Sequence, residues 1–449
     1  MLHIFAAFLL FILLKNLFNN RLLALCTSAL FLVHPLQTES ITYVSGISDP
    51  LSAILIFLSL IYYLKFRETN SRVVCLRSSA FHVSLAAFVL CFLARETTVF
   101  FLGFLVLAEL ILHIKKYKKI LWPRFFVDST RYLWPYALCT VFYVLLRLSV
   151  LNFQNTLNLY DKQNEFTTNP IVRLLTFFRI LTVYVQLLFW PVNLHMERTV
   201  ELAATLWKPD VLIGASVLIS SISALIFFLK RNRLVVFSIS WVLIGLFPTS
   251  NILVPINGLL FEHWLYLPMI GVWLLLCSCF IRISRIANGK LSKLFAISYL
   301  LFAIFLSIRT IQQNRLWGNP ITFYNYTLKF APTSYRLLNN LGMAYAEKGD
   351  HENAIRVYQS AISVNPENAV AYHNLGNTHK TLGDKQKAIE AFEKAISLQP
   401  DFYFSYNALA DLYFKEKNIK SAVEVLNTLY KIQPSQQLLQ LIKELESQK

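Results

Sequence analysis

Apolar runs recur along the first two thirds of this chain, and no other feature constrains its fold as strongly. Among them are LLALCTSALFLV, LSAILIFLSLIYYL, FFLGFLVLAELILHI and VLIGASVLISSISALIFFL. About 20 apolar residues in a helix cross the hydrocarbon core of a bilayer, where a helix also satisfies its own backbone groups. With 56% hydrophobic residues over 449 positions, the chain reads as a multi-pass membrane protein. Its net charge of +17 does not call for nucleic acid, because the basic residues sit in short loops between apolar segments. Five of the six cysteines lie within or at the ends of apolar segments. Cys75 lies in a basic loop, and the polar C-terminal part has none. That usage fits free thiols and neither a disulfide framework nor a zinc site. The opening MLHIFAAFLLFILLKNLFNNR lacks a basic n-region and a small-residue cleavage site, so it reads as a span rather than a signal peptide.

The composition changes near residue 310. Beyond it Pro332, Pro366, Pro400 and Pro434 are spaced by 34 residues. In the same register stand Leu341, Gly342 and Tyr345, then Leu375 and Gly376, then Leu409 and Tyr413. Ala354, Tyr358 and Ala361 recur as Ala388, Phe392 and Ala395. This is the tetratricopeptide (TPR) period and pattern: small residues let paired helices approach, aromatics fill the gap between repeats, and proline ends the second helix. The expected organisation is an all-α chain. A polytopic membrane domain covers 1–310, a half repeat or linker helix 311–332, three repeats 333–434, and a capping helix 435–449.

Lys and Arg concentrate in cytoplasmic loops. The groups Lys65, Arg67, Arg72, Arg77; Lys115, Lys116, Lys118, Lys119, Arg124, Arg131; Lys230, Arg231, Arg233; and Arg282, Arg285, Lys290, Lys293 are therefore expected on one side. The spans then fall near 3–19, 21–35, 48–65, 79–94, 98–114, 133–151, 209–229, 234–248, 266–282 and 294–309. Segment 171–194 is apolar but does not fit as an eleventh span without reversing that charge pattern. With Arg173 and Arg179 it reads as an interfacial or re-entrant helix. Loop 34–49, the corner at Arg95-Glu96, segment 152–208, loop 249–265 and the repeats all face the other, non-cytoplasmic side.

Ionisable residues on that side are few: His34, Glu39, Asp49, Arg95, Glu96, Glu262 and His263 stand beside the spans, and Asp161, Lys162, His195, Glu197 and Arg198 lie in the long segment. Charge near membrane depth is costly and faces a cavity or a partner. Carboxylates beside Arg and His suit a general base and a bound phosphate. The plain alternative is interfacial capping, with Asp49-Pro50 starting a helix. No phosphate loop, dinucleotide fingerprint, nucleophile elbow or zinc motif is present.

His34-Pro35, Thr38-Glu39, Ser45-Gly46 and Asp49 resemble the HPxxTE…SGxxD loop of the transmembrane and tetratricopeptide-repeat-containing proteins and their bacterial relatives. Arg95-Glu96 resembles that family's next corner. Pro248-Thr249-Ser250-Asn251 and Glu262-His263-Trp264-Leu265-Tyr266-Leu267-Pro268 resemble its second signature. The resemblance implies a GT-C glycosyltransferase fold, similar to protein O-mannosyltransferases. It implies transfer of a sugar, typically mannose, from a polyprenyl-phosphate donor to a protein hydroxyl, with the repeats engaging the acceptor. Glu39 and Asp49 are then expected to be catalytic. His34, Arg95, Glu96, Glu262, His263, Arg173 and Arg179 are expected to bind the donor. No tightly bound cofactor and no protein metal ligand set is expected, and a divalent metal is left open. The opening segment resembles the family's second span, so the first span and its acidic loop are expected to be missing. A bacterial inner membrane with periplasmic repeats and an endoplasmic reticulum membrane with lumenal repeats both fit. A membrane-anchored TPR scaffold and a lipid-linked sugar flippase are the competing functions.

Overall fold

The computed structural model describes residues 1–69, 78–118, 120–150, 164–256, 258–286 and 289–447. Arg72, Cys75, Arg77 and Lys119 lie outside these. Among the described residues 81% are helical and none forms a strand, which makes the chain all-α. It divides into two compact units, Met1–Arg315 and Leu316–Lys449.

The first unit begins with α1 (Leu2–Phe18), α2 (Arg21–Val33), the short α3 (Gln37–Thr42), α4 (Ser48–Thr69), α5 (Ser79–Ala94), α6 (Leu102–Tyr117) and α7 (Trp122–Ser149). It continues with α8 (Glu165–Thr168), α9 (Pro170–Phe189), α10 (Pro209–Phe228), α11 (Arg233–Leu246), α12 (Met269–Ile286) and α13 (Lys290–Trp317). Among the described residues seven helices, α9 included, are long and apolar enough to cross a membrane. Four more, α1, α2, α5 and the segment Arg233–Thr249, are apolar but only 10–17 residues long.

A shared apolar core runs through α1, α2, α4, α5, α6, α11 and α12. Polar side chains stitch it: Ser84 donates to Ser59 O at 2.7 Å and Tyr136 donates to Ser84 Oγ at 2.7 Å, linking α4, α5 and α7. Arg67, placed by sequence in a loop, is instead within α4. It forks onto Glu109 of α6 (2.5 and 3.2 Å).

The segment expected to be interfacial or re-entrant is one unbroken helix, α9, started by Asn169 and Pro170 as cap and first residue. Arg173 near its start donates to Ile252 O, and Leu188 O near its end accepts from His34. Both partners lie in connections at one end of the bundle. A 20-residue helix is about 30 Å long, so α9 lies across that end rather than looping into it.

The second unit stacks α14 (Pro320–Leu328), α15 (Tyr335–Glu347), α16 (His351–Val364), α17 (Ala369–Leu382), α18 (Lys385–Leu398), α19 (Tyr403–Lys415), α20 (Ile419–Ile432) and α21 (Gln436–Glu446). Side chains of Ser334, Asp350, Asn368, Asn418 and Ser435 accept from backbone N–H groups and start five of these helices. The small residues are where close approach requires them. A Cβ at Gly342 would lie 2.5 Å from the Tyr358 ring, and one at Gly376 would lie 2.7 Å from the Phe392 ring.

Candidate active site

Chain geometry at the end of α2 builds the first wall. Pro35 disfavours helix at the residue before it, and His34 is extended. His34 is fully buried. Its Nε2–H donates to Leu188 O at 3.0 Å, while Nδ1 accepts from Leu36 N–H at 3.3 Å. Both ring nitrogens are thus committed to the main chain, and His34 holds the corner against α9. The turn that follows, Val44–Ile47, folds back on α3. A Cβ at Gly46 would sit 2.9 Å from Glu39 O and from Ser40 Cα, which accounts for a glycine there. Asp49 comes in the first turn of α4, which begins at Ser48.

Three buried carboxylates gather at this end, each with a cationic or imidazole partner. Glu39 grips His263, 224 residues away: its Oε2 accepts the backbone N–H at 3.1 Å and its Oε1 meets Nδ1 at 3.0 Å. Asp49 pairs through Oδ1 with Arg95 at the end of α5, and through Oδ2 with Ser40 Oγ at 3.0 Å. Glu262 Oε1 accepts from His195 N–H at 3.0 Å and from Arg198 at 2.7 Å. Burial first, and the Glu39 charge second, push the Glu262 carboxyl up to about 8, against the pull of Arg198 and the His195 N–H. Burial, aided by Arg198, pushes His195 down to about 4.

Asp49, Arg95, Thr249 and His263 line one cleft. Phe100 and Ile244 line both this cleft and an apolar groove between α6 and α11. Gly103, Val106, Leu243 and Phe247 continue that groove.

The other expected donor ligands are elsewhere or engaged. Arg173 donates to the carbonyls of Ile252 and Thr167. Arg179 pairs with Asp210 at 2.6 Å and donates to Glu201 O. Both arginines tie α9 to its neighbouring connections. The Glu96 side chain lies outside what is described. Among the described residues no group of three or more His, Cys, Asp or Glu is placed to hold a metal ion. Sequence reasoning counts His195 and Arg198 among the ionisable residues of this side but assigns neither to the site; their link to Glu262 is a long-range contact with no local signal.

Residues 333–401 and 373–436 match family models described as tetratricopeptide repeat, so this part of the chain consists of such repeats. Over the longer stretch the chain is similar to proteins named protein O-mannosyl-transferase. It is 24% identical over 358 residues to F38B6.6 of Caenorhabditis elegans, covering 78% of this chain and 47% of that protein. It is 25% identical over 369 residues to human TMTC4, covering 75% and 48%. It is also 25% identical over 379 residues to human TMTC3, covering 78% and 40%. The chain spans about half the length, or less, of these relatives. It is an apolar, helical membrane protein with C-terminal repeats that resembles the transmembrane and tetratricopeptide-repeat-containing proteins.

Proposed function

We propose that this protein is a membrane glycosyltransferase. In this reading it moves a sugar, by analogy with its relatives mannose, from a polyprenyl-phosphate donor to a protein hydroxyl. One observation carries the reading: a cleft lined by Asp49, Arg95 and His263 adjoins an apolar groove between α6 and α11, the two sharing Phe100 and Ile244. A lipid-linked sugar phosphate has this two-part chemistry. Its prenyl chain suits the groove, and its phosphate suits the guanidinium and imidazole. The acceptor hydroxyl enters from the aqueous side, with the repeats holding the acceptor protein. Basic loops at the opposite end of the bundle support a cytoplasmic side there. In this reading the cleft faces the periplasm or the endoplasmic reticulum lumen.

A photoreactive polyprenyl phosphate tests this. It is expected to label residues of α6 and α11, with competition by unlabelled polyprenyl phosphate. Gly103→Trp, which fills the groove beside Ile244, is expected to abolish labelling without loss of folded protein. Labelling unaffected by both competitor and substitution contradicts the reading and leaves a membrane-anchored TPR scaffold in its place.

A further inference from the structure

A glycosyl transfer to a hydroxyl needs a group that takes the hydroxyl proton. His34 and His195 do not line the cleft, and four other titratable side chains of this end differ in what already occupies them. Both Asp49 oxygens are engaged, by Arg95 and by Ser40 Oγ. Both Glu39 oxygens are engaged by His263. Glu262 receives Arg198 and the His195 N–H, and it does not line the cleft. The fourth is His263. Its Nδ1 faces Glu39 and its ring lines the cleft, and among the described residues Nε2 has no hydrogen bond. The ring is stacked on Phe261 (centroids 5.3 Å, 29°) and meets Trp264 edge-on (6.3 Å, 79°).

We infer that His263 is the general base of the transfer and that Glu39 is a positioning residue acting through it. A carboxylate accepting from Nδ1–H fixes the tautomer that carries its lone pair on Nε2, and it stabilises the imidazolium that forms. This rests on the transferase reading above, and it moves Glu39 from the base itself to the group behind the base. In the step, the acceptor oxygen attacks the anomeric carbon and gives its proton to His263 Nε2. The bond from that carbon to the phosphate oxygen breaks. Its electron pair leaves on the polyprenyl phosphate, beside Arg95. The imidazolium then returns the proton to water.

The test uses the full chain in membranes, with a polyprenyl-phosphate mannose as donor. His263→Asn keeps a side-chain N–H donor at the Nδ1 position for Glu39 and removes Nε2 with the rest of the ring. Transfer is expected to fall by roughly 10²–10⁴-fold, the usual worth of a general base. His263→Gly is expected to be inactive and to regain transfer when imidazole is added. Glu39→Gln is expected to lose transfer without imidazole rescue. Thermal melting identifies folded variants, and if the glycine variant does not fold the asparagine variant decides. Wild-type transfer with an intact rate in His263→Asn overturns the base assignment alone. So does a folded glycine variant that imidazole does not rescue. Absence of transfer by the wild type overturns the transferase reading and the base with it.

Discussion

Glu39 and Glu109 are both buried carboxylates of the first unit, and their surroundings differ in one respect. Glu109 is closed: Tyr63 donates to it at 2.5 Å, Arg67 forks onto it, and the Arg67 guanidinium lies 3.5 Å from the centre of the Tyr132 ring. None of these residues lines the cleft or the groove. Glu39 is equally saturated, but its partner His263 lines a cleft, and among the described residues the second ring nitrogen has no hydrogen bond. A buried charge that is fully partnered away from the cleft staples helices. One whose partner faces a cleft is arranged for chemistry. The distinction assigns stability to the α4–α6 end and reactivity to the α3–α12 end.

Substitutions separate the two. The largest effect on reactivity is expected at the cleft. Arg95→Gln leaves Asp49 without its cation and removes the phosphate contact. Transfer should drop at least 100-fold, read as label incorporated per folded molecule, since losing one such charged contact costs about 3 kcal/mol of transition-state stabilisation. At the other end Glu109→Ala leaves Arg67 uncompensated. It should lower stability by about 3–5 kcal/mol, seen in thermal melting, with transfer per folded molecule retained. Equal loss of activity in both variants would erase the comparison.

Glu262 gives a pH test. Its carboxyl is raised to about 8 in the folded state, above an unfolded carboxyl near 4.3. Between these values the folded state binds the extra proton. Stability therefore falls as pH rises, by up to about 1.4 kcal/mol per unit. Glu262→Gln should flatten melting temperature against pH from 5 to 8, and an unchanged slope would contradict the assignment.

Smaller effects belong to the second unit. Gly376→Ala drives a methyl to 2.7 Å from the buried Phe392 ring and should cost about 1–3 kcal/mol. Lys380→Ala breaks a 2.5 Å pair with the half-exposed Asp411. It should shift stability by less than about 1 kcal/mol, near the limit of a melting curve.

The two units were not equally legible. A TPR stack contacts mainly its sequence neighbours, so periodic Gly342, Tyr358, Gly376 and Phe392 state their own packing partners. Membrane helices announce themselves by length and apolarity, and basic loops pick out one end. The pairings that build the cleft are different in kind. Glu39 meets His263 across 224 residues, and Glu262 meets Arg198 across 64. Neither partner is specified by any local period. Arg173 and Arg179 illustrate the same limit: two arginines on an apolar helix suggest phosphate, yet packing against the next connections gives them carbonyls and Asp210 instead.

The most direct measurement of the central claim is transfer itself. Membranes holding the wild type or Arg95→Gln would be given radiolabelled polyprenyl-phosphate mannose, and protein-bound label would be counted. The account requires label in protein with the wild type. It also requires label near background with the variant at matched amounts of folded chain. Equal labelling by both, or none by the wild type, contradicts it.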